Sequence, residues 1–344
     1  MRHICHGVCQ GYTGCSGSVR KKGAGGEDTT RIEDIGGEFA LIHRLTSRKE
    51  IPGVLKGVGD DCAVLRYDDE FDLLITTDLL LEGTHFRLDW STPAQIGNKA
   101  MESNVSDIAA MGGIPRYAFV SVAFTGDFSV EQADELYAGM NKSCDRHGVS
   151  IVGGDTTKGA LLTLNILIVG MVEKGTALLR CGALCGDLVA VTGSLGKSEA
   201  GLQALQNGLE GNIQPHLEPT ARTEWGRLLR PYANSMIDVS DGLAGDIIHI
   251  CDESNLGVEI DGDAIPLFET AMEIAARLGH DPLDYALSGG EDFELLFTFS
   301  KSKTDLIQKT GVPFTVIGKI TEATRLLRVK RRAVPLKGGY DHFF

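Results

Sequence analysis

Aspartate recurs in this chain where the backbone is tight and oxygen-rich. Asp60 and Asp61 follow Gly57 and Gly59, Asp78 follows Thr76 and Thr77, Asp155 follows Gly153 and Gly154, and Asp238 and Asp241 bracket Ser240. Such carboxylates suit hard divalent cations, because Mg²⁺ takes oxygen ligands and glycine lets backbones approach one another. Taken singly, each cluster also reads as ordinary turn chemistry, and Asp241 also reads as the cap of a following helix. Asp107 is a sharper case. On a helix beginning at Pro93 it falls within about 20° of the direction of Ile96 and Ala100, which makes it a carboxylate on an apolar stripe. An unpaired charge there is costly, so the group must be neutral, paired or bound to a cation. The alternative is a helix tilted so that Asp107 escapes near its C-terminal end, where the macrodipole disfavours it.

Other chemistries find less support. Gly193-Ser194-Leu195-Gly196-Lys197-Ser198 looks like a phosphate-binding P-loop, but Val191 stands where that motif needs its first glycine. There is no GxSxG elbow, HExxH helix or EF-hand loop. Cys5, Cys9 and Cys15 with His3 and His6 match no common zinc spacing and read as part of an N-terminal extension. Cys181 and Cys185 read as small buried residues.

These acids can act together only if the secondary structure around them brings them to one place. The chain has 344 residues, with 33 Lys and Arg against 47 Asp and Glu, a net charge of −14, so neither a nucleic acid nor an anionic membrane is an expected partner. Its longest apolar run, Leu161 to Val172, falls short of the roughly 20 residues that span a bilayer. The first residues lack a secretory apolar stretch, and a cytoplasmic location is expected. Thr92, Pro93 and Gln95 form a helix start with a capping box and proline at the first position, and the helix should stop at Gly112-Gly113. Ser129 and Gln132 repeat that spacing before a second helix ending at Gly148. Phe71 to Thr77 reads as a strand that stops at Asp78, and VSIVGGDTT and LLTLNILIVGMV as strands around a glycine loop. Beyond Glu173, strands are expected at Leu188 to Thr192, in SMIDVSDG, and at Gly257 to Ile260, Phe293 to Phe299 and Pro313 to Ile317, with helices from Ser198 and up to Ser254. The class is α/β or α+β in two domains, residues 34–172 and 173–344, after a flexible extension at 1–33.

Taken in order, GVGDDCAVL (Gly57 to Leu65), TTDLLLEGTHF (Thr76 to Phe86), KAMESNVSDIAAMGGIP (Lys99 to Pro115), VGGDTTKG (Val152 to Gly159), MIDVSDGLAGDIIHI (Met236 to Ile250), SGGEDFELLFT (Ser288 to Thr298) and GYDHF (Gly339 to Phe343) resemble the thiamine-monophosphate kinases. These belong to the aminoimidazole ribonucleotide synthetase-like superfamily. The resemblance implies a two-domain fold whose N-terminal domains pair into a dimeric β-barrel, with a C-terminal α/β domain. It implies a homodimer that uses ATP and several Mg²⁺ ions to phosphorylate thiamine monophosphate to thiamine diphosphate. Carried over residue by residue, the metal ligands are Asp61, Thr76, Thr77, Asp78, Asp107, Asp155, Asp238 and Asp241, with Asp107 and Asp238 the most critical. Gly154, Asp155, Arg180 and Ser240 fall at nucleotide-binding positions, and His85, Glu291 and Tyr340 at acceptor-binding ones. No general base is implied, because a phosphate monoester with a second pKa of about 6 is already ionised at neutral pH. Lys337 stands where some relatives carry a tryptophan suited to stacking on the substrate, which leaves Tyr340 for that contact. The competing readings are another ATP-dependent enzyme of the superfamily and a non-catalytic nucleotide-binding protein.

Overall fold

The computed structural model describes residues 32–35, 37–46, 51–337 and 339–340. The cysteine and histidine group at residues 3–15 and the end of the GYDHF motif lie outside them. Helix α1 (Gly37–Leu45) precedes β1 (Val54–Lys56), β2 (Ala63–Arg66), β3 (Phe71–Leu81), α2 (Pro93–Ala110), β4 (Ile114–Phe124), α3 (Val130–His147), β5 (Ser150–Lys158) and β6 (Thr163–Glu173). Both capping boxes form: Thr92 accepts from the Gln95 amide and Ser129 from the Gln132 amide, with the glutamine side chains reaching back. Gly148 closes α3 in the left-handed conformation.

These strands form one six-stranded sheet in the order β1-β2-β3-β6-β4-β5, antiparallel except for the parallel β4–β5 pair. Two expectations are corrected here. β3 does not stop at Asp78 but runs on to Leu81, because β6 continues to supply partners as far as Leu81↔Thr163. No loop forms at Gly153-Gly154 either; β5 passes straight through both, pairing them with Phe119 and Val120. Gly154 is needed there: a Cβ would sit 1.8 Å from the Val120 carbonyl oxygen, and φ is +146°.

The second sheet is built from β7 (Leu188–Thr192), β8 (Ser235–Asp238), β9 (Gly257–Asp261), β10 (Leu295–Phe299), β11 (Phe314–Thr321), β12 (Arg325–Val329) and β13 (Arg332–Pro335), in the order β13-β12-β9-β11-β7-β10-β8. Between them lie α4 (Lys197–Asn207), α5 (Gln214–Leu217), α6 (Thr223–Leu229), α7 (Leu243–Ser254), α8 (Glu269–Leu278), α9 (Pro282–Ser288) and α10 (Thr304–Lys309). The expected strand from Phe293 begins only at Leu295. Phe293 and Glu291 instead adopt left-handed backbone, with φ of 48° and 62°, which takes that segment out of the pleat. Cys185 is exposed and Cys181 half-buried, contrary to the expectation of burial.

Helix α2 joins the two halves. Ile96, Ala100, Met101, Val105 and Ile108 fill the core over the first sheet, while Ala109 and Ala110 enter a second core with Leu229, Met236, Leu295 and Phe297. Gly226 of α6 makes the crossing possible: a Cβ there would lie 2.0 Å from the Ala109 carbonyl oxygen. The C-terminal turn of α2 is thereby set against the end of β8. Among the described residues no helix is long and apolar enough to cross a membrane.

Candidate functional site

Where α2 meets β8, three carboxylates converge. One oxygen each of Asp61, Asp107 and Asp238 lies within 4.8 Å of the others. Asp61 comes from the loop between β1 and β2, Asp107 from the last turn of α2, and Asp238 from the end of β8, so the two domains contribute jointly. Asp107 accepts a hydrogen bond of 2.5 Å from the Thr76 hydroxyl on β3, and Asp238 one of 2.5 Å from Ser106, its neighbour on α2. Asp78, two residues beyond Thr76 on the same face of β3, is held by its amide, which donates to Asn104 Oδ1 at 3.0 Å. The solvent-escape alternative for Asp107 therefore does not apply.

Burial dominates the electrostatics. It drives the Asp107 carboxyl well above the usual range, and the charges of Asp78, Asp238 and Asp61 add to it. Burial followed by the Asp61 charge brings Asp238 to about 8. Asp78 rises to about 6 and Asp60 to about 7, again chiefly through desolvation. Arg180 opposes the trend at Asp61, donating to Oδ1 from Nε at 3.1 Å and from NH2 at 2.6 Å, while its amide reaches the Asp60 carboxylate at 3.2 Å. Even so, Asp61 Oδ2 and Asp238 Oδ1 are sealed from solvent with no hydrogen-bond partner. Two buried orphan oxygens, on Asp61 and Asp238, beside the Asp107 carboxylate are the donor set a hard cation requires.

The remaining expected residues fall into three places. Ser240 and Asp241 occupy the turn between β8 and α7, and the Tyr340 amide donates to the Asp241 carbonyl at 2.9 Å, which brings the C-terminal segment beside that turn. Asp241 does not cap α7; the N-cap is Gly242, without a side-chain hydrogen bond. His85 and Glu291 lie on opposite domains and are bridged by Lys99, whose ammonium donates to the His85 carbonyl at 3.0 Å and to Glu291 Oε2 at 2.7 Å. Thr77 and Asp155 are not brought to the cluster. Thr77 points to the other face of the sheet, where its hydroxyl accepts from Asn165 at 3.0 Å. Asp155 pairs with Ser121 on that same face, three strands or about 14 Å from β3.

Sequence reasoning passed over Lys99, Ser106 and Asp246. Asp246 is 1% exposed, both its oxygens lack a hydrogen-bond partner of good geometry, and burial with the charges of Asp241 and Asp238 drives its carboxyl well above the usual range. Like Asp107 it lies on an apolar helical stripe that is visible in the sequence, sharing the buried side of α7 with Leu243, Ile247 and Ile250. The P-loop-like segment has its own occupant: the Asp292 carboxylate accepts from the Gly196 amide at 2.6 Å and the Ser198 amide at 3.0 Å at the start of α4. An internal anion fills the place a phosphate would take.

Residues 59–172 match the family described as AIR synthase related protein, N-terminal domain, and residues 185–329 its C-terminal domain. The thiamine-monophosphate kinase of Salmonella typhimurium is 39% identical over 329 residues, covering 89% of this chain and 98% of that protein. That of Aquifex aeolicus is 34% identical over 320 residues, covering 91% of this chain and all of the other. The chain belongs to the thiamine-monophosphate kinase family. A solved structure of AaThiL complexed with AMPPCP and TMP superposes with a TM-score of 0.82 at 34% identity, over 92% of this chain and the whole of that one. Family membership gives the two mixed sheets their setting, the two-domain AIR synthase-related fold, with the carboxylate cluster at its domain junction.

Proposed function

We propose that the protein transfers the γ-phosphoryl group of ATP to thiamine monophosphate, forming thiamine diphosphate and ADP. The observation that carries this reading is the convergence of Asp61, Asp107 and Asp238 from both domains, with orphaned oxygens on Asp61 and Asp238, in a member of this kinase family. ATP and a phosphate monoester bring about six negative charges together, and they react only if that repulsion is offset. Mg²⁺ held by the chain's carboxylates would supply that offset of charge. Asp61, Asp107 and Asp238 would hold the ions, with Thr76 and Asp78 beside them and Asp241 on the second-domain side. Arg180, parked on Asp61, is the guanidinium available to the nucleotide phosphates, alongside Ser240. His85, Glu291 and Tyr340 would orient the acceptor. The chain's part is to position and to exclude water; the acceptor oxygen needs no base.

We also infer a homodimer. The face of the first sheet away from α2 bears Leu73, Ile75, Leu167, Val169, Tyr117 and Phe119, none of them fully buried, and it also carries Thr77 and Asp155. A second copy covering that face would bury its apolar surface as a two-chain barrel and give these polar residues their place beside bound nucleotide.

The direct test incubates the purified full chain with ATP, Mg²⁺ and thiamine monophosphate and follows thiamine diphosphate chromatographically together with ADP. Stoichiometric, Mg²⁺-dependent formation of both is expected. ADP release without thiamine diphosphate would overturn the reading.

A further inference from the structure

Lys99 is a buried cation with no part in the proposed phosphoryl transfer. Lys99 sits in the first half of α2, two turns from Asp107, and is only 3% exposed. An ammonium so placed is tolerated only when paired, and its two partners belong to different domains: Glu291 Oε2 at 2.7 Å and the His85 carbonyl at 3.0 Å. Both partners are the residues that the acceptor would meet.

The segment carrying Glu291 is held against its own preference. Glu291 and Phe293 have φ of 62° and 48°, a region side-chain-bearing residues avoid. The Glu291 amide donates to the Ser240 carbonyl at 2.8 Å, the Phe293 amide to Val239 at 2.9 Å, and the Asp292 carboxylate is fixed on α4. Such conformations persist only where the surroundings over-determine them, and they mark sites at which one side chain must point one way. His216 also faces the carboxylate, with Nδ1 3.8 Å away, but burial and the Lys99 charge lower its pKa to about 4, and its Nδ1 lies 2.9 Å from the Ser198 hydroxyl. Lys99 is thus the charged partner in hydrogen-bond contact with Glu291, and its charge, ahead of smaller contributions from His216 and His85, offsets the desolvation that pushes that carboxyl up.

We propose that Lys99 is a positioning residue for the acceptor: by gripping the Glu291 carboxylate and the His85 carbonyl together, it fixes the separation of the two walls between which thiamine monophosphate binds. This rests on the proposed activity. Because α2 also carries Asp107, the same helix sets the acceptor walls and the metal carboxylate in one register. Among the described residues the hydrogen bonds of the Lys99 ammonium go to Glu291 and the His85 carbonyl and none to Arg180 or Ser240, so the loss of the lysine should be felt chiefly by one substrate.

The test uses the full chain with Mg²⁺ and the variants Lys99→Met and Lys99→Arg. Lys99→Met should raise KM for thiamine monophosphate by tenfold or more while KM for ATP stays within twofold, and Lys99→Arg should recover part of the loss. Added to Glu291→Gln, Lys99→Met should cost less than it does alone, since the two act through one contact. Lys99→Gln, which keeps a donor for the His85 carbonyl, must show the same one-sided effect if Lys99→Met does not fold. Equal changes in both KM values, or none, would overturn the proposal. Titrating thiamine monophosphate and AMPPCP separately into wild type and variant reads the same split without turnover. An inactive wild type that still shows the split would defeat the proposed activity and leave the lysine's role standing. An active wild type whose variant binds both ligands normally would defeat the lysine's role alone.

Discussion

The carboxyl groups at the junction carry opposite consequences for folding and for function. A buried aspartate whose folded pKa lies above its unfolded value of about 3.9 takes up protons on folding, so stability falls as pH rises between the two values. Asp78 at about 6, Asp60 at about 7 and Asp238 at about 8 place that window between roughly pH 4 and pH 8 in the metal-free protein. The EDTA-treated chain should therefore melt at least about 2 °C higher at pH 5.5 than at pH 8, and Mg²⁺ at pH 8 should recover the difference. A melting temperature that climbs with pH in EDTA would mean that these carboxylates are not desolvated. Asp107→Asn removes one of the repelling charges but keeps the acceptor for Thr76, so it should preserve or raise metal-free stability while lowering kcat by at least about 100-fold. Near-normal turnover in that variant would remove Asp107 from the metal site.

Helix α2 is the element on which the arrangement turns, and its two ends are secured by different means. The N-terminus is a local device, the Thr92–Gln95 box, worth about 1 kcal/mol, so Thr92→Ala should lower stability by that amount in urea and leave turnover unchanged. The C-terminal end depends on a close crossing with α6. Gly226→Ala places a methyl where the Ala109 carbonyl now lies, forcing α6 away and moving Ser106 and Asp107 relative to Asp238. That variant should lose more stability than Thr92→Ala and also bind Mg²⁺ more weakly by calorimetry; unchanged Mg²⁺ affinity would show that the junction tolerates a shift in α2. Glu102, fully buried on the same helix, ties it to α3 through Arg146 and His147 and to the Ala221 amide at 2.7 Å. This network gives the helix a third point of attachment away from the site.

For the whole molecule, the decisive feature is a sheet with one face covered and the other left apolar. Alternation along β3 places Thr76 and Asp78 with the helices and Thr77 and Leu79 on the open side. The expected ligands consequently divide into a group brought together beside α2 and a pair, Thr77 and Asp155, on the open face, which the proposed second copy would cover. Light scattering should give twice the chain mass, and Phe119→Asp, placing a charge on the open face, should shift the protein toward monomer and depress activity. A wild-type monomer with full activity would refute the homodimer and leave Asp155 outside the site.

Much of this was legible in the linear chain wherever the signal is local. The capping boxes, the strands at Leu188–Thr192 and Gly257–Asp261, and the acid-bearing turns follow from residues within a few positions of one another, because caps, turns and periodicity are short-range interactions. Where neighbouring strands decide, local reading fell short: β3 runs past Asp78 and β5 past its glycines because β6 and β4 offer backbone partners there, which no single segment encodes. The residue types alone marked the chemistry as that of oxygen ligands and hard cations. Only the tertiary structure decided which of those residues share a site, since a one-residue alternation separates Thr76 from Thr77 and a helix crossing joins Asp107 to Asp238. Lys99 also became visible only there, as its carboxylate partner Glu291 lies 192 residues along the chain in the other domain.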